Sequence, residues 1–516
     1  MSTTDALLQG EMLTPQTATR FATVFKQLID IGVRFKLRDE IYVRRWEPER
    51  IRDHLVRDLS DEPTALPDIV EDILYSVLPL CKNENSPYFL GFGDTGDDPA
   101  ALAGGLLGLF TQQNLINQSF DAPSATFVEI AVLRWLRQMI GYPDLPVPDV
   151  TCVWNVGGII TSGGTASNTV AMMLARENKA PGCMTSGVTD PEQFGVIVPR
   201  GIGHYSVKSA LTWIGCGSQV IEVDTTNFRY DLTALRKALR TNRGRVMAVV
   251  AYAGDSRTQT IENLRAVHDT VRSVDEKIWL HTDACWGFVC TFTDALRAKV
   301  DGIAEFDSVT VDPHKVMAVP YAVSALLTKV PENMRLVSSY SDLIMQEDFA
   351  FGQVTPFIGT KPWASLKLWM MMRAHGRTGL ARLVEHRLDT TRHFVAALDQ
   401  RPRFLRLHDP DLTAVAFLYL PTDVDLDQPD IDRINTVNKE IHQRLLDEGR
   451  WHLHQFSIPD PGRLQPGATL YPLRFMGANP RIEQHHIDGV LDQVEALGAE
   501  IENTLTPVTA TPEGHR

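Results

Sequence analysis

Between residues 150 and 330 the sequence alternates short apolar runs with amphipathic segments. The apolar runs have the length of buried strands and are GVIVPR (195–200), QVIEVD (219–224), VMAVVAYAG (246–254) and IWLHTDA (278–284). Segments with helical periodicity separate them, such as HYSVKSALTWIG and TIENLRAVHDTVRSV. Strands that alternate with helices in this way are typical of a mainly parallel sheet with helices on both faces. The pattern therefore predicts an α/β fold for this part of the chain.

The chain of 516 residues is too long for one small core, and its pattern predicts four parts. Residues 1–110 have the pattern of a helical segment, and residues 111–385 contain the alternating strands and helices. Residues 386–503 combine the strand-like AVAFLYL with charged helices, which indicates a smaller α+β domain. Residues 504–516 have no apolar face, so we expect a disordered tail.

The composition argues against several classes of protein. A formal net charge of −14 leaves no basic stripe that could replace the counterions of nucleic-acid phosphates, so we expect no nucleic-acid partner. No run of about 18 uncharged apolar residues occurs, so we expect no membrane span. The N-terminus MSTTDALLQGEMLTPQ lacks the basic and apolar regions of a secretory signal. Six cysteines in so long a chain indicate reduced thiols and a cytoplasmic protein.

A glycine turn that leads into a helical segment is the first candidate site. It lies in TSGGTASNTVAMMLAR (161–176), where Thr165, Ala166 and Ser167 open the helix after two glycines. Unpaired N–H groups and the helix dipole favour an anion at such a turn. The alternative is an ordinary helix cap made by a serine or threonine. The turn matches neither a Walker A loop nor G-x-G-x-x-G, so no nucleotide is implied.

Asp283 is the second candidate, because it lies at the predicted carboxyl end of the strand in IWLHTDACWGF (278–288). Open α/β sheets bind ligands at this edge, and a carboxylate there could hold the cationic ring nitrogen of a flat cofactor. The alternative is a helix N-cap for the residues that follow. Cys285 and Cys290 lie close to His281, but no second ligand pair has zinc spacing, so we expect no metal site.

Lys315 is the third candidate, in DSVTVDPHKVMAVP (307–320), where a strand pattern ends and a Pro-His pair precedes the lysine. A lysine held in a pocket beside apolar or cationic groups loses its charge readily and can form an imine. A lone lysine after Pro-His is a surface cation in most proteins. Its combination with Asp283 and the glycine turn is what favours a catalytic role.

In this order and at this spacing, the segments TSGGTASN, GIGHYSVKSA, HTDACWGF and DSVTVDPHKVMAVP resemble those of the pyridoxal-phosphate-dependent group II decarboxylases. These include glutamate, aromatic amino-acid and cysteine-sulfinate decarboxylases. The resemblance runs from about Tyr88 to SLKLWMMMRAHG (365–376) and more weakly to LRFMGANP (473–480). It implies α/β fold type I (aspartate-aminotransferase-like), a homodimer formed through the N-terminal helices, and pyridoxal 5'-phosphate (PLP). The implied reaction is decarboxylation of an L-amino acid to CO2 and an amine.

The resemblance assigns catalytic roles to three residues. Lys315 would form the internal aldimine with PLP, His204 would stack on its ring, and Asp283 would pair with the ring nitrogen. With this nitrogen protonated, the carbanion left by CO2 is delocalised into the ring as a quinonoid. Further cofactor contacts are implied for Thr165, Ala166, Ser167, Cys285 and His314, and substrate contacts for Arg474 and Phe349.

Several positions depart from the family pattern. The family's A-G-T-T turn reads Ala253-Gly254-Asp255-Ser256 here, and the extra acid could alter the electronics of the ring or the substrate preference. A glycine expected after the proline that follows the lysine is replaced by Ser324, and the arginine before the K-L-W segment is replaced by Lys361. None of these changes affects the three catalytic positions.

The segment MQEDFAFGQVTPF (345–357) departs most from the family pattern. Family decarboxylases usually carry a loop tyrosine that protonates the substrate's Cα, whereas this segment contains Phe349 and Phe351, and Tyr340 lies upstream. Family members with phenylalanine there tend to couple decarboxylation to oxidative deamination and give an aldehyde. An aldehyde synthase is therefore one alternative, and a silent PLP-binding paralogue is another. SPYFLGFGDTGDD and NQSFDAPSAT are implied to line the pocket, but they do not identify the substrate.

Overall fold

The computed structural model describes residues 12–339, 341–342, 348–355, 359–422 and 424–505. Tyr340, parts of the predicted loop (345–347 and 356–357) and residues 506–516 of the predicted tail lie outside the described residues. Thr504 and Leu505 belong to the last helix instead of the tail. The four-part division stays a prediction.

The described helices are α1 (Ala18–Leu37), α2 (Pro48–Leu55), α3 (Leu66–Asp72), α4 (Pro99–Thr111), α5 (Ala125–Ile140), α6 (Gly164–Lys179), α7 (Cys183–Ser186), α8 (Tyr205–Trp213), α9 (Leu232–Thr241), α10 (Leu264–Arg272), α11 (Asp294–Arg297), α12 (Ser365–Asp399), α13 (Ile431–Glu448) and α14 (Gln484–Leu505). The strands are β1 (Gly158–Thr161), β2 (Gly195–Pro199), β3 (Val220–Val223), β4 (Thr225–Thr226), β5 (Arg229–Tyr230), β6 (Val246–Tyr252), β7 (Trp279–Asp283), β8 (Ser308–Val311), β9 (Ser324–Thr328), β10 (Phe404–Arg406), β11 (Ala414–Tyr419), β12 (His454–Gln455), β13 (Ile458–Pro459), β14 (Thr469–Leu470) and β15 (Leu473–Met476).

The main sheet has seven strands in the order β1-β9-β8-β7-β6-β2-β3. The strands β3, β2, β6, β7 and β8 run parallel, whereas β9 is antiparallel to both β8 and β1. All residues of β6 and β7 are buried, as continuous apolar strands covered on both faces should be. The predicted mainly parallel α/β sheet is therefore confirmed. Its register places Tyr252 beside Asp283 and Asp283 beside Thr310 at the carboxyl edge.

Helix α6 is the helix most deeply embedded in this layer. It packs against β6, β7, β8 and β9 on the sheet and against α8 beside it. Its residues from Ser167 to Glu177 are all buried. Because the helix is fixed along its whole length, its first turn is held rigidly over the carboxyl edge of the sheet.

Polar side chains cap the first turns of several other helices, among them α9, α10 and α13. The side chain of Asp231 accepts hydrogen bonds from the N–H groups of Thr233 and Ala234 at the start of α9. Asn263 at α10 and Asp430 at α13 each cap one N–H group in the same way. Such caps supply acceptors for N–H groups that have none within the helix.

A second, antiparallel sheet has the order β10-β11-β15-β12 and is covered by α13 and α14. Its apolar core is separate from that of the main sheet and includes Phe394 and Phe475, whose rings stack with centroids 3.8 Å apart. None of the helices among the described residues is long and apolar enough to span a membrane.

A buried ion pair joins α5 to the segment that precedes α12. Lys361 Nζ lies 2.7 Å from Glu129 Oε1, and the two residues are 3% and 0% exposed. Lys361 is the residue that replaces the family's arginine, and it keeps the charge that Glu129 needs. Removing one partner would leave a charge buried without compensation, which costs more than the loss of a surface pair.

We expect Lys361→Met to lower the stability by about 3–5 kcal/mol, because Glu129 is left without its partner. The double variant Lys361→Met/Glu129→Leu should recover most of this loss. Arg34→Met, which removes an exposed pair with Asp30, is the control and should change little. Urea unfolding followed by circular dichroism measures all three, and equal losses for the single and double variants would contradict the expectation.

Candidate active site

A cavity of about 520 Å³ opens at the carboxyl ends of β6, β7 and β8, beside the first turn of α6. All the predicted cofactor residues except Ser167 line it, namely Thr165, Ala166, His204, Asp283, Cys285, His314 and Lys315. The structure therefore brings together side chains from four separate sequence motifs. They meet because parallel strands all present their carboxyl ends at the same edge of the sheet.

Asp283 ends β7 and is 5% exposed. Its Oδ2 accepts a hydrogen bond from Asn168 Nδ2 at 2.9 Å, and its Oδ1 accepts one from the N–H of Cys285 at 3.2 Å. Burial acts to raise the pKa of Asp283, but His204, Lys315 and these two hydrogen bonds outweigh it, so the pKa is lowered. The carboxylate is thus held ionised, and each oxygen keeps a lone pair for a further donor.

The amide of Asn168 is held in one orientation by a chain of hydrogen bonds. Trp279 Nε1 donates to Ser308 Oγ at 2.8 Å, so the Ser308 hydroxyl donates in turn to His281 Nδ1, also at 2.8 Å. Burial lowers the pKa of His281 to about 4, so the ring is neutral and its proton lies on Nε2. That proton is donated to Asn168 Oδ1 at 3.1 Å, which directs the amide N–H groups toward Asp283.

The same amide also orients His204. Asn168 Nδ2 donates to Ser206 Oγ at 2.8 Å, and the Ser206 hydroxyl donates to His204 Nδ1 at 2.7 Å. The backbone N–H of His204 donates to the hydroxyl of Tyr252 at 2.9 Å. Burial lowers the pKa of His204, against the charge of Asp283, so the imidazole is neutral and carries its proton on Nε2.

The glycine turn opens α6 directly onto the cavity. Gly163 precedes the helix with a φ of 151°, and Gly164 is the first helical residue. A Cβ at Gly164 would lie 2.8 Å from Asp312 Oδ2 and 3.0 Å from Cys285 Sγ, so only glycine fits. The N–H groups of Ala166 and Ser167 donate to Gly163 O at 3.0 and 3.1 Å, so those of Gly164 and Thr165 are the ones left without an acceptor within the helix. Ser167 is turned away from the cavity, since its hydroxyl pairs with Thr161 Oγ1 at 2.7 Å.

Lys315 also lines the cavity, and its Nζ is 3.1 Å from Asp312 Oδ2 and 4.8 Å from the ring centroid of Trp286. Asp312 is 2% exposed, and its Oδ1 accepts a short hydrogen bond from Ser324. Burial acts to lower the pKa of Lys315, but Cys285, Asp312 and Asp283 outweigh it and the pKa is raised. Burial raises the pKa of the Cys285 thiol, so at neutral pH the carboxylates hold Lys315 charged.

Three other residues singled out in the sequence lie outside the cavity lining. The guanidinium of Arg474 is buried and donates to the backbone oxygens of Ser256 (2.5 Å) and Gly91 (2.8 Å). Phe349 packs on Phe127, with ring centroids 5.0 Å apart. Asp255 accepts hydrogen bonds from its own loop, including the N–H groups of Arg257 and Thr258, so it shapes that loop. The predicted substrate contacts of Arg474 and Phe349 stay predictions.

Sequence reasoning missed Asn168, Ser206 and Asp312, although all three stand inside the segments that it singled out. The sequence did contain one signal for Asn168. It is a polar residue just after the glycine turn, and the residues one turn later on the same face of α6 are apolar. Nothing in the sequence indicated that Asn168 contacts Asp283, more than a hundred residues away. Among the described residues no group of three or more histidine, cysteine or acidic side chains could hold a metal ion.

Comparison with known proteins identifies the fold and the family of this chain. Mouse CSAD has a solved structure with a TM-score of 0.82 at 24% identity, covering 93% of this chain and 99% of that one. Oryza sativa TDC, solved with PLP and tryptamine, also has a TM-score of 0.82, at 19% identity, covering 95% of this chain and all of that one (100%). The fold is therefore the α/β fold type I that the sequence predicted.

The family model described as "Pyridoxal-dependent decarboxylase conserved domain" matches residues 48–420, and the chain belongs to this family. Among curated proteins, rat cysteine sulfinic acid decarboxylase is 26% identical over 497 residues, which cover 93% of this chain and 95% of that protein. The aromatic-L-amino-acid decarboxylase of Bacillus atrophaeus is 22% identical over 464 residues, which cover 87% and 89%. The predicted class is confirmed: the protein is a PLP-dependent amino-acid decarboxylase, which the comparisons favour over an aldehyde synthase.

The residues present fit PLP. Asp283 offers free lone pairs to a protonated ring nitrogen, and the first turn of α6, which has no side-chain cap, offers N–H groups to a phosphate. Lys315 lines the same cavity and offers an amine to an aldehyde. An anion site, a carboxylate and an amine in one cavity suit a flat ring that carries a phosphate and an aldehyde.

We expect Asn168→Leu to weaken PLP binding about 5- to 150-fold, because it removes a donor from Asp283 and leaves the His281 N–H without its acceptor. The range corresponds to about 1–3 kcal/mol for an unsatisfied buried group. Absorbance titration of the PLP-free protein measures the dissociation constant.

Asn178→Leu is the matched control, since Asn178 lies exposed at the other end of the same helix and donates only to Lys277 O. It should bind PLP like the unaltered protein. Equal affinities for the two variants would show that the Asn168 amide does not support the cofactor site.

Proposed function

We propose that this protein decarboxylates an L-amino acid, releases CO2 and an amine, and holds PLP through a covalent bond to Lys315. The observation that supports the proposal is the meeting of Lys315, His204 and Asp283 in one cavity, beside the first turn of α6. In chemical terms the cavity offers an amine, a neutral aromatic face, an ionised carboxylate and an anion site. A flat aldehyde with a basic ring nitrogen and a phosphate uses all four.

When bound, PLP supplies an electron sink for the bond that breaks at the substrate's Cα. The protein's own contribution is to hold charges and orient groups. Asp283, ionised and held by Asn168, would keep a proton on the ring nitrogen and so supply electrostatic stabilisation of charge that develops during the reaction. His204, oriented through Ser206, offers a neutral ring face for stacking. The first turn of α6, where Thr165 and Ala166 line the cavity, would hold the phosphate.

The remaining predicted contacts belong to the same proposal. Cys285 and His314 line the cavity, and the His314 Nδ1–H donates to Val323 O at 2.7 Å, which fixes the plane of its ring beside Lys315. Ser167 supports the turn through Thr161. Arg474 lies directly behind Ser256, which itself lines the cavity, so a substrate carboxylate near Ser256 would lie close to this cation.

A homodimer is part of the proposal. Three aromatic side chains on the cavity rim are largely exposed, with 74% for Trp213, 66% for Tyr205 and 53% for Tyr321. On the helix α1, Val24 is the only buried residue, while Ile29 and Val33 are exposed. A second copy that covers these apolar surfaces would also exclude water from the cavity. Light scattering on the purified protein tests this, and a monomer would contradict it.

The cytoplasm is the proposed location. All six cysteines fall within the described residues and are free, and three of them, Cys216, Cys285 and Cys290, are buried in the main core. Reduced thiols of this kind suit a compartment that keeps cysteine reduced.

We expect Lys315→Ala to abolish covalent capture of PLP, because the variant has no amine in the cavity. Borohydride reduction of the PLP-loaded protein, followed by peptide mass spectrometry, should place the pyridoxyl group on Lys315 in the unaltered protein and on no cavity residue in the variant. Lys237→Ala, which changes a lysine of α9 on the surface, is the control. Labelling of Lys315 at background level in the unaltered protein would contradict the proposed function.

An amino-acid panel tests the reaction itself. CO2, amine, aldehyde and hydrogen peroxide are measured for acidic, aromatic, aliphatic and basic L-amino acids. We expect one class to give CO2 with an equal amount of amine and no peroxide. Aldehyde with peroxide from the unaltered protein would contradict the proposal.

A further inference from the structure

Decarboxylation to an amine leaves one chemical task that the residues above do not perform. When CO2 departs, the bonding electrons stay with Cα, and this carbon must receive a proton before the amine can leave. The segment 345–357 contains no tyrosine, and Phe349 packs on Phe127 outside the cavity lining. The proton for Cα must therefore come from another group.

Three tyrosines line the cavity, of which Tyr205 is 66% exposed on the rim and the other two are poor acids. The hydroxyl of Tyr252 accepts the N–H of His204, and burial raises its pKa. The hydroxyl of Tyr321 is donated to Asp94 Oδ2 at 2.8 Å, and burial together with Asp94 raises its pKa as well. His204 is neutral, and the Nδ1–H of His314 is bound to a backbone oxygen. Among the described lining residues, this leaves Lys315 as the charged acid.

The surroundings of Lys315 are built to keep it charged. Asp312 Oδ2 lies 3.1 Å from Nζ, and Ser324, which stands where the resemblance leads us to expect glycine, donates to the other oxygen of Asp312. The Trp286 ring lies 4.8 Å from Nζ and favours a cation. Ser324 thus fixes the orientation of a buried carboxylate, and this carboxylate pairs with the lysine.

We propose that Lys315, held as an ammonium ion by Asp312, delivers the proton that replaces CO2 on the substrate's Cα. The inference rests on the proposed function, because it needs Lys315 to be the residue that first binds PLP. When the substrate amine displaces Lys315, Nζ stays next to the substrate nitrogen, and Cα is one bond away from this nitrogen. Lys315 is therefore close to the carbon that needs the proton.

The atoms and electrons of this step balance. The displaced Nζ takes up a proton from the substrate's ammonium group and becomes an ammonium ion paired with Asp312. The Cα–carboxylate bond then breaks, CO2 leaves, and its electron pair remains with Cα. An Nζ–H bond breaks as a Cα–H bond forms, and Nζ keeps its lone pair, with which it displaces the product amine. No oxidant is consumed.

Other ionisable groups around Lys315 also act on its charge. Asp283, Asp94 and the Cys285 thiol face it from β7, the N-terminal segment and the turn after β7, and His204 and His314 complete the surroundings. Asp312 is the carboxylate in direct contact with Nζ. Its replacement by the uncharged isostere asparagine is therefore the most selective change.

We expect Asp312→Asn to divert the reaction from amine to aldehyde. Without a charged Lys315, the proton is added to the cofactor's carbon instead of Cα, and hydrolysis then gives an aldehyde and the aminated cofactor in equal amounts. The aldehyde share of the product should rise about tenfold or more, in line with what general acids contribute. Aldehyde assays and the conversion of PLP to pyridoxamine phosphate, followed by absorbance, measure this.

Asp301→Asn is the matched control, because it makes the same change at an exposed carboxylate that pairs with Arg265 outside the cavity lining. It should give amine as the unaltered protein does. Tyr340→Phe tests the tyrosine upstream of the loop and should also leave the product unchanged. A large aldehyde share in either variant, or an unchanged product in Asp312→Asn, would overturn the proposal.

A second measurement needs no turnover. Acetic anhydride labelling of Lys315 in PLP-free protein, followed by mass spectrometry over a pH series, gives the pH at which the amine becomes reactive. In Asp312→Asn this midpoint should fall by about 1–3 units, because an opposite charge has been removed. Asp312→Ser serves as a second variant if the asparagine variant does not fold. An unmoved midpoint would overturn the role of Asp312, while borohydride capture at Lys315 would still support the proposed function.

Discussion

The amide of Asn168 is the contact on which the geometry of the site depends most. It donates to Asp283 and to Ser206, and it accepts from His281. Each of these partners is buried, so an amide turned the other way would set an oxygen against a carboxylate and leave donors unsatisfied. One side chain in the first turns of α6 therefore orients both the carboxylate proposed to pair with the ring nitrogen and the imidazole proposed to stack on the ring.

The sheet makes this contact possible. Its parallel strands bring the ends of β6, β7 and β8 to one edge, and α6 is buried along its length against these strands. The site is thus assembled from rigid elements, and the glycine at position 164 allows the helix to approach Asp312 closely. Electrostatic stabilisation of this kind is effective because the groups need little reorganisation during the reaction.

Two buried carboxylates, Asp283 and Asp312, carry negative charge at the cavity. Asp283 is held ionised by hydrogen bonds and by neighbouring charge, and it is the proposed partner of the ring nitrogen. Asp312 is paired with Lys315 and fixed by Ser324. Two departures from the family pattern thus have one interpretation. Segment 345–357 has no tyrosine to donate the proton, and Ser324, in place of glycine, helps Asp312 to keep Lys315 available as the acid.

The sequence by itself determined the α/β class and the family, and it singled out Lys315, His204 and Asp283 as candidates, because strand periodicity and ordered motifs are local signals. Only the tertiary structure decided which groups position them. Asn168 and Asp283 are far apart in the chain, and Ser167, which belongs to the predicted turn, proves to face Thr161. Hydrogen-bond directions depend on where buried neighbours lie and on which atoms lack another partner. Spacing along a chain carries no information about either, so these contacts required the folded structure.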